Sequence, residues 1–144
     1  MQQPPTDDAL IAQARQAARS AYAPYSGVRV GAAVRSRAGQ VYVGCNIENA
    51  AYPLGVCAET AAIAGGVQAE GDAFRIAEVA VWGETDAASP LVISPCGGCR
   101  QRIREFAQGA EVPVHFRAAS DAWVVMSIDE LLPQPFLRGS GHAR

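Results

Sequence analysis

The chain has 144 residues, the length of one typical domain, and 49% of them are hydrophobic, which is enough to bury a core. Charged residues make up 18%, the formal net charge is −2, and all twelve basic residues are arginines. This composition argues against a nucleic-acid partner, which requires a basic surface. No segment has the run of about 18 apolar residues that a membrane helix needs, and no signal peptide is visible at the N-terminus. We therefore expect a cytoplasmic protein whose four cysteines, at positions 45, 57, 96 and 99, stay reduced.

The first part of the chain predicts a helix followed by two strands. Asp7 or Asp8 can cap an alanine-rich helix that runs through Ser20. β-Branched residues then predict strands over residues 28–34 and 40–44, and the polar segment between them is typical of a hairpin turn.

The middle of the chain predicts two further helices around a strand. A helix begins at Cys57 and ends at Gly71, a helix-stop residue. Residues 75–82 predict a strand, and the short apolar segment 90–94 predicts another. Residues 100–108 follow as a helix.

The last part predicts two strands and a short helix. The strands cover residues 112–118 and 122–128, and Ser127 caps the final helix with Glu130 at the capping-box position. The element order favours a mixed α/β architecture in which helices cover a sheet. We expect one domain over residues 1–144, with flexible termini at residues 1–6 and 137–144.

The C-x-x-C pair of Cys96 and Cys99 has two common interpretations, a redox pair or part of a zinc site. The redox interpretation leaves Cys57 and Glu59 without a role, whereas the zinc interpretation can use Cys57 as a third ligand. Cys57 and Cys96 each open a predicted helix, whose dipole and free amides stabilise thiolates. Three protein ligands leave the fourth zinc position open to water, and Glu59 lies on the same helical turn as Cys57, where it can move protons.

Four segments then point to one family. They are AYAPYSGVRVGAAV, GCNIENAAYPLGVCAE, SPCGGCRQRIREF and DELLPQPF, and together they resemble the small homotetrameric zinc-dependent cytidine deaminases over about residues 8–136. The resemblance implies a three-layer cytidine deaminase-like fold, with a mixed five-stranded sheet flanked by helices. It also implies hydrolytic deamination of cytidine and deoxycytidine to uridine and deoxyuridine, with release of ammonia, in pyrimidine salvage.

The same resemblance assigns roles to individual residues. It implies one Zn²⁺ per chain and a proton shuttle at Glu59, which would move protons between water, the ring N3 and the leaving amine. Asn46 and Glu48 are implied as contacts to the sugar hydroxyls, which suits an amide and a carboxylate. Backbone groups of Ala58 and of residues 94–96 are implied at the edge of the base. The implied zinc ligands are Cys57, Cys96 and Cys99.

Two positions depart from the family pattern. Thr60 stands where the family commonly has an arginine, so we hypothesise that Arg100 compensates the negative charge of three thiolates on zinc. Val28 stands where many relatives have a phenylalanine that stacks on the base. Stacking would then rest on Tyr52 or on Phe136, and the resemblance implies that Phe136 reaches the site of a neighbouring subunit.

Two alternatives remain open at this point. In the first alternative, the same zinc chemistry deaminates a related aminated nucleoside such as blasticidin S. A non-enzymatic structural zinc module is also conceivable, with Cys45 closing a four-cysteine site, although we expect Cys45 to be a small buried residue. The expected partners are a nucleoside and other copies of the chain, with no nucleic-acid polymer and no membrane.

Overall fold

A five-stranded sheet forms the centre of the protein, whose computed structural model describes residues 8–138. The strands run in the order β2-β1-β3-β4-β5, and all neighbours are antiparallel except β3 and β4, which are parallel. The predicted mixed five-stranded sheet is therefore confirmed. Their bounds are β1 Val28–Ser36, β2 Val41–Cys45, β3 Ile76–Thr85, β4 Pro113–Arg117 and β5 Trp123–Ser127.

Helices cover both faces of this sheet and give a three-layer arrangement. Their bounds are α1 Ala9–Ala18, α2 Ala58–Glu70, α3 Gly97–Phe106 and α4 Ile128–Leu131. Helix α1 packs with Ala33, Ala80 and Trp82 on one face, and the other three helices contribute to the larger core on the opposite face. Because side chains alternate along a strand, β1 and β3 supply apolar residues to both cores.

Glycines in two strands let the helices approach the sheet closely. A methyl group at Gly31 would lie 1.9 Å from the carbonyl oxygen of Ala14 in α1, and one at Gly44 would lie 2.5 Å from that of Ala58 in α2. Such distances are far below van der Waals contact, so any side chain at either position would push a helix away. The contact at Gly44 fixes the first turn of α2 against β2.

The predicted helix ends are largely those of the structure. Asp8 caps α1 by accepting hydrogen bonds from the backbone N–H groups of Leu10 and Ile11. Gly71 ends α2 with a φ of 64°, a conformation that favours glycine. Ser127 and Glu130 form the predicted capping box of α4.

One predicted strand is wrong, and one helix is displaced. Residues 90–94 form no strand, and their β-pairing with the sheet is limited to isolated bridges, from Pro90 to Glu84 and from Ile93 to Arg117. This segment lies across the ends of β3 and β4, and Pro90 has no N–H group to donate to a ladder. Helix α3 begins three residues earlier than predicted, because the chain turns into the helix directly after Cys96.

Of the predicted flexible termini, residues 1–6 and 139–144 lie outside the described residues, and Leu137 and Arg138 have no regular secondary structure. None of the helices within residues 8–138 combines the length and apolar character needed to cross a membrane.

Candidate metal centre and active site

The N-terminal ends of α2 and α3 carry the candidate metal ligands. Cys57 is the N-cap residue of α2 and Cys96 is the N-cap residue of α3, both with extended backbone conformations. Neither side chain caps its own helix, so both sulfurs are free to turn towards a shared point. Cys99 lies in the first turn of α3 and is fully buried. The structure thus confirms that two helix N-termini meet where the cysteines are.

The three sulfurs form a group that can hold a metal ion. The Sγ atoms of Cys57, Cys96 and Cys99 all lie within 4.8 Å of one another. Thiolate ligands at about 2.3 Å from a tetrahedral zinc lie about 3.8 Å apart, so this arrangement fits zinc. Three sulfur ligands with no fourth cysteine are typical of an open site, in which one position stays available to a small molecule.

Crowding of the three thiols shifts their pKa values in different directions. Burial raises the pKa of Cys57 and, together with the negative charges of Glu59 and Cys57, raises that of Cys99 strongly. Burial also acts on Cys96, but hydrogen bonds from the Cys99 backbone and from the other two thiols lower its pKa overall. Metal ligands bind as deprotonated thiolates. One divalent cation can therefore take the place of the protons on three neighbouring thiols.

Glu59 is a buried carboxyl group next to these thiols. It belongs to the first turn of α2, and only 4% of its surface is exposed. Burial raises its pKa, while a backbone hydrogen bond, a hydrogen bond with Cys99 and the positive charge of Arg102 oppose that shift. A carboxyl group with a raised pKa can both take up and release a proton near neutral pH.

A cavity of about 560 Å³ opens beside the thiols and Glu59. This is within the usual range for small-molecule sites. The structure brings most of the predicted site residues to its wall: Asn46, Glu48, Tyr52, Cys57, Ala58, Glu59, Ser94 and Cys96. Four predicted residues are not on its wall: Val28, Cys99, Arg100 and Phe136.

The wall also contains residues that the sequence analysis missed. They include Tyr25, Ser26, Val30, Val81 and Ile93. Val30 shares a face of β1 with Val28, since side chains two residues apart on a strand point the same way. Because Val28 was proposed as a contact, this alternation could have predicted Val30 as a residue of the cavity wall. Ile93 and Val81 meet at the cavity only through the tertiary fold, and no local pattern marks them.

Asn46 and Glu48 reach the cavity with part of their hydrogen-bonding capacity already used. The Asn46 side chain accepts a hydrogen bond from the Val30 N–H at 2.8 Å and donates one to the Val28 carbonyl oxygen at 2.9 Å. The Glu48 carboxylate accepts from the backbone N–H of Tyr25, from that of Ser26 and from the Ser26 hydroxyl.

These bonds leave both groups able to bind a further ligand. The Ser26 hydroxyl is the main reason that the pKa of Glu48 is lowered, so this carboxylate stays ionised. A carboxylate has about four acceptor sites, and a side-chain amide retains one N–H and one lone pair after two bonds. Asn46 therefore ties the start of β1, and Glu48 the loop before it, to the segment that follows β2, and both still present polar atoms to the cavity.

The two predicted aromatic contacts lie in different places. Tyr52 is 76% exposed at the cavity and packs edge-on against Tyr25, with ring centroids 6.1 Å apart. Phe136 is 77% exposed and away from the cavity of its own chain. Gln101 of α3 holds the Phe136 backbone through two hydrogen bonds, to its carbonyl oxygen at 2.8 Å and from its N–H at 3.0 Å.

Arg100 bonds to oxygen atoms around the turn that precedes α3. Its guanidinium donates to the carbonyl oxygens of Pro95 at 2.8 Å and Leu131 at 2.9 Å, and to the Ser94 hydroxyl at 3.4 Å. It thereby ties the turn before Cys96 to the end of α4. Its role in charge compensation remains a prediction.

Cys45 does not complete a four-cysteine site. It ends β2 and is half-buried rather than fully buried, and it does not belong to the metal-binding group formed by the other three cysteines. This geometry disfavours the closed structural zinc module.

A second group of possible ligands, which the sequence analysis did not single out, is formed by Asp8, Glu78 and His115. The two ring nitrogens of His115 lie 2.8 Å from a Glu78 oxygen and 3.5 Å from an Asp8 oxygen, and Arg35 pairs with Glu78 at 3.2 Å. Ion pairs within the protein thus explain why these three side chains lie close together.

Comparison with known proteins identifies the class to which this fold and site belong. The family described as "Cytidine and deoxycytidylate deaminase zinc-binding region" matches residues 4–115. The chain therefore belongs to the cytidine and deoxycytidylate deaminase family. It is 39% identical over 127 residues to a cytidine deaminase of Sporosarcina psychrophila, a match that covers 88% of both chains. It is also 39% identical over 128 residues to one of Halalkalibacterium halodurans, covering 88% of this chain and 91% of the relative.

Solved structures agree with this assignment. The cytidine deaminase of Burkholderia pseudomallei superimposes with a TM-score of 0.76 at 39% identity, covering 91% of this chain and 99% of that one. That of Mycobacterium tuberculosis superimposes with a TM-score of 0.71 at 35% identity, covering 90% and 95%. The predicted cytidine deaminase-like fold is confirmed.

Proposed function

We propose that this chain is a zinc-dependent hydrolase that deaminates cytidine and deoxycytidine to uridine and deoxyuridine and serves pyrimidine salvage in the cytoplasm. One observation carries the proposal: Cys57, Cys96 and the buried Glu59 line a cavity of about 560 Å³, and the Cys99 sulfur lies within 4.8 Å of the other two sulfurs just behind its wall. The names of the relatives that match most of the chain support the same reaction.

The metal would be held by the three cysteines, as one zinc ion per chain, with its fourth position facing the cavity. When bound, zinc lowers the pKa of a coordinated water towards about 7. The positive ends of α2 and α3 favour the anionic ligands at this point.

Glu59 would move the protons of the reaction. It would accept a proton from the water that attacks C4 of the cytosine ring and deliver it to N3, and would then pass the remaining proton of the added hydroxyl group to the leaving amine. A C–O bond forms, the C–N bond breaks, and ammonia leaves with uridine as the other product. Burial, which raises the pKa of Glu59, suits a group that must release a proton as well as take one up.

The walls of the cavity would hold the nucleoside. Ala58 is the first residue of α2, and its backbone N–H has no acceptor within the helix, so it is suited to bind the edge of the base, as are backbone groups of residues 94–96. Asn46 and Glu48 would bind the sugar hydroxyls. Tyr52 would contribute an apolar contact to the base, whereas Val28 does not reach the cavity wall.

A panel of substrates tests this proposal. Zinc-loaded protein is incubated with cytidine, deoxycytidine, free cytosine and blasticidin S, and products are separated by chromatography. We expect turnover of both nucleosides and little of cytosine, because a site built to bind hydroxyl groups rejects ligands that lack them. Turnover of blasticidin S without turnover of cytidine would transfer the assignment to the alternative substrate. No turnover of any substrate by protein that holds zinc would contradict the proposal.

The proposed active form is a homotetramer in which Phe136 completes a neighbouring site. Large apolar side chains are exposed around the cavity mouth and at Phe136, which is unusual for a surface that stays in water: Tyr22, Ile47, Tyr52, Leu54 and Phe136.

The Gln101 clamp on Phe136 offers a test of this arrangement. Gln101→Ala is expected to raise KM for cytidine and to weaken subunit association, measured by kinetics and light scattering. Gln108→Ala, at an exposed position two residues beyond the end of α3, is the matched control. A monomeric wild-type protein with full activity would contradict the tetramer.

A further inference from the structure

The proposed metal centre carries a net negative charge. Three thiolates around one divalent cation leave one excess negative charge. Excess negative charge offsets the positive charge of the metal ion. The metal is then a weaker Lewis acid towards a bound water. The two helix N-termini offset this charge only in part, with about half an elementary charge at each end.

Arg102 is placed beside the centre by the geometry of α3. Residues four apart lie on the same side of a helix, and helical side chains lean towards the N-terminus, so Arg102 lies over Gly98. Its Nη1 atom is 3.0 Å from the point where a side chain at Gly98 would begin, and the Cys96 sulfur is 4.0 Å from that same point. Both groups therefore border the space that a side chain at Gly98 would occupy, and the missing side chain leaves that space to the guanidinium.

The other charged or polar candidates near the centre are engaged or uncharged. Arg100 donates to the carbonyl oxygens of Pro95 and Leu131, and Arg104 pairs with Asp129 at 3.1 Å. Thr60 places its hydroxyl 4.0 Å from the Cys99 sulfur but carries no charge. Among residues 8–138, no carboxylate forms a salt bridge with Arg102.

We infer that Arg102, folded over Gly98, is the residue that offsets the excess negative charge of the three-cysteine metal centre. The inference rests on the proposed zinc site and assigns this role to Arg102 instead of Arg100. Arg102 acts through the ligands and touches no reacting atom, so it is a positioning residue.

The test measures how fast zinc leaves the protein, which does not depend on activity. Zinc-loaded wild type, Arg102→Gln, Arg102→Lys and Gly98→Ala are mixed with a chromophoric chelator at low and high salt. Arg37→Gln, which removes an exposed arginine from the distant β1–β2 turn, is the control for net charge. Arg100→Gln tests the competing assignment. Thermal unfolding of each variant separates a loss of fold from a local effect.

We expect zinc to leave Arg102→Gln about 3- to 10-fold faster than wild type at low salt, because the guanidinium stabilises the net negative metal-bound centre relative to the metal-free site. This range is typical of an exposed charge acting on a partly buried one. Arg102→Lys should largely restore the wild-type rate. Gly98→Ala should also release zinc faster, because the new methyl displaces the guanidinium while its charge is kept. The difference between Arg102→Gln and wild type should shrink at high salt, since salt screens exposed charges.

The outcomes distinguish this inference from the proposed function. Wild type that binds no zinc would overturn the zinc site itself. Wild type that holds zinc, together with an Arg102→Gln release rate equal to that of Arg37→Gln, would overturn the role of Arg102 and leave the proposed function intact. Faster release from Arg100→Gln alone would return the role to Arg100.

Discussion

Cys57 and Cys96 hold the same structural position, the N-cap of a helix, in two helices from separate parts of the chain. Their sulfurs, with that of Cys99, lie within 4.8 Å of one another. The helix dipoles and the free N–H groups of both first turns therefore face one small region, which favours anions. This relationship explains how a chain of low charge can collect three thiols and a carboxyl in one place.

Removing one of the three clustered thiols should remove the metal. Cys99→Ala is expected to lose nearly all bound zinc, because two thiols do not hold the ion as three do. Cys45→Ala is the matched control and should keep one zinc per chain, measured by elemental analysis of purified protein. Loss of zinc from Cys45→Ala would favour the closed structural site instead.

Asn46 should matter for stability as well as for binding. Asn46→Ala leaves the Val30 N–H and the Val28 carbonyl oxygen without their side-chain partner, at a cost of about 1–3 kcal/mol in the free energy of unfolding. Urea unfolding measures this change. Asn49→Ala, which removes one hydrogen bond to Ala51 in an exposed loop, should cost less. Equal effects of the two substitutions would contradict the bridging role of Asn46.

Glu48 should stabilise the fold in a pH-dependent way. Because its pKa is lower in the folded protein than its ordinary value, chiefly through the Ser26 hydroxyl, its contribution is present above the ordinary value of about 4.3. That contribution is lost as the pH falls through the lowered pKa. The urea midpoint of metal-free Glu48→Gln should therefore lie below that of wild type at pH 6, and the gap should close at acidic pH. Glu111→Gln, at an exposed position, should show no such trend.

The neighbouring glycines of α2 should respond in opposite ways to the same substitution. A methyl at Gly66 would lie 2.2 Å from the Phe74 ring, whereas one at Gly65 meets only the Tyr42 Cβ, at 4.0 Å. Gly66→Ala should destabilise the fold by about 1–3 kcal/mol through overpacking. Gly65→Ala should stabilise it by about 0.5–1 kcal/mol, since alanine favours a helix. The midpoints of thermal and urea unfolding are measured for both variants. Similar shifts in the two variants would contradict this packing.

Local signals were sufficient for much of the fold. Asp8, Ser127 and Glu130 cap helices through contacts with residues two or three positions away, so their roles can be predicted from the sequence. The opening of α2 at Cys57 was also predicted, whereas α3 begins at Gly97, three residues before its predicted start, and neither cysteine side chain caps its helix. The segment 90–94 misled the analysis because an apolar run does not show whether a sheet edge is free to pair with it.

The site was predicted less completely, because its wall comes from elements that are distant in sequence. The cysteines and Glu59 stand in a recognisable motif, and Asn46 and Glu48 follow a strand close to it. Ile93 and Val81 reach the cavity only through the packing of a loop against β3. Nothing local to Arg102 indicates that its guanidinium lies over Gly98, on the side of α3 that Cys96 also borders, since that requires the conformation of α3.

The most direct test of the central claim compares cytidine deamination by wild type and by Glu59→Gln, each with its zinc content measured. Glutamine keeps the size of the side chain but cannot carry a proton, so the account predicts uridine from wild type and a loss of activity of about 10²- to 10⁴-fold in the variant. Both proteins should hold one zinc per chain. Near-wild-type turnover by zinc-loaded Glu59→Gln would contradict the account.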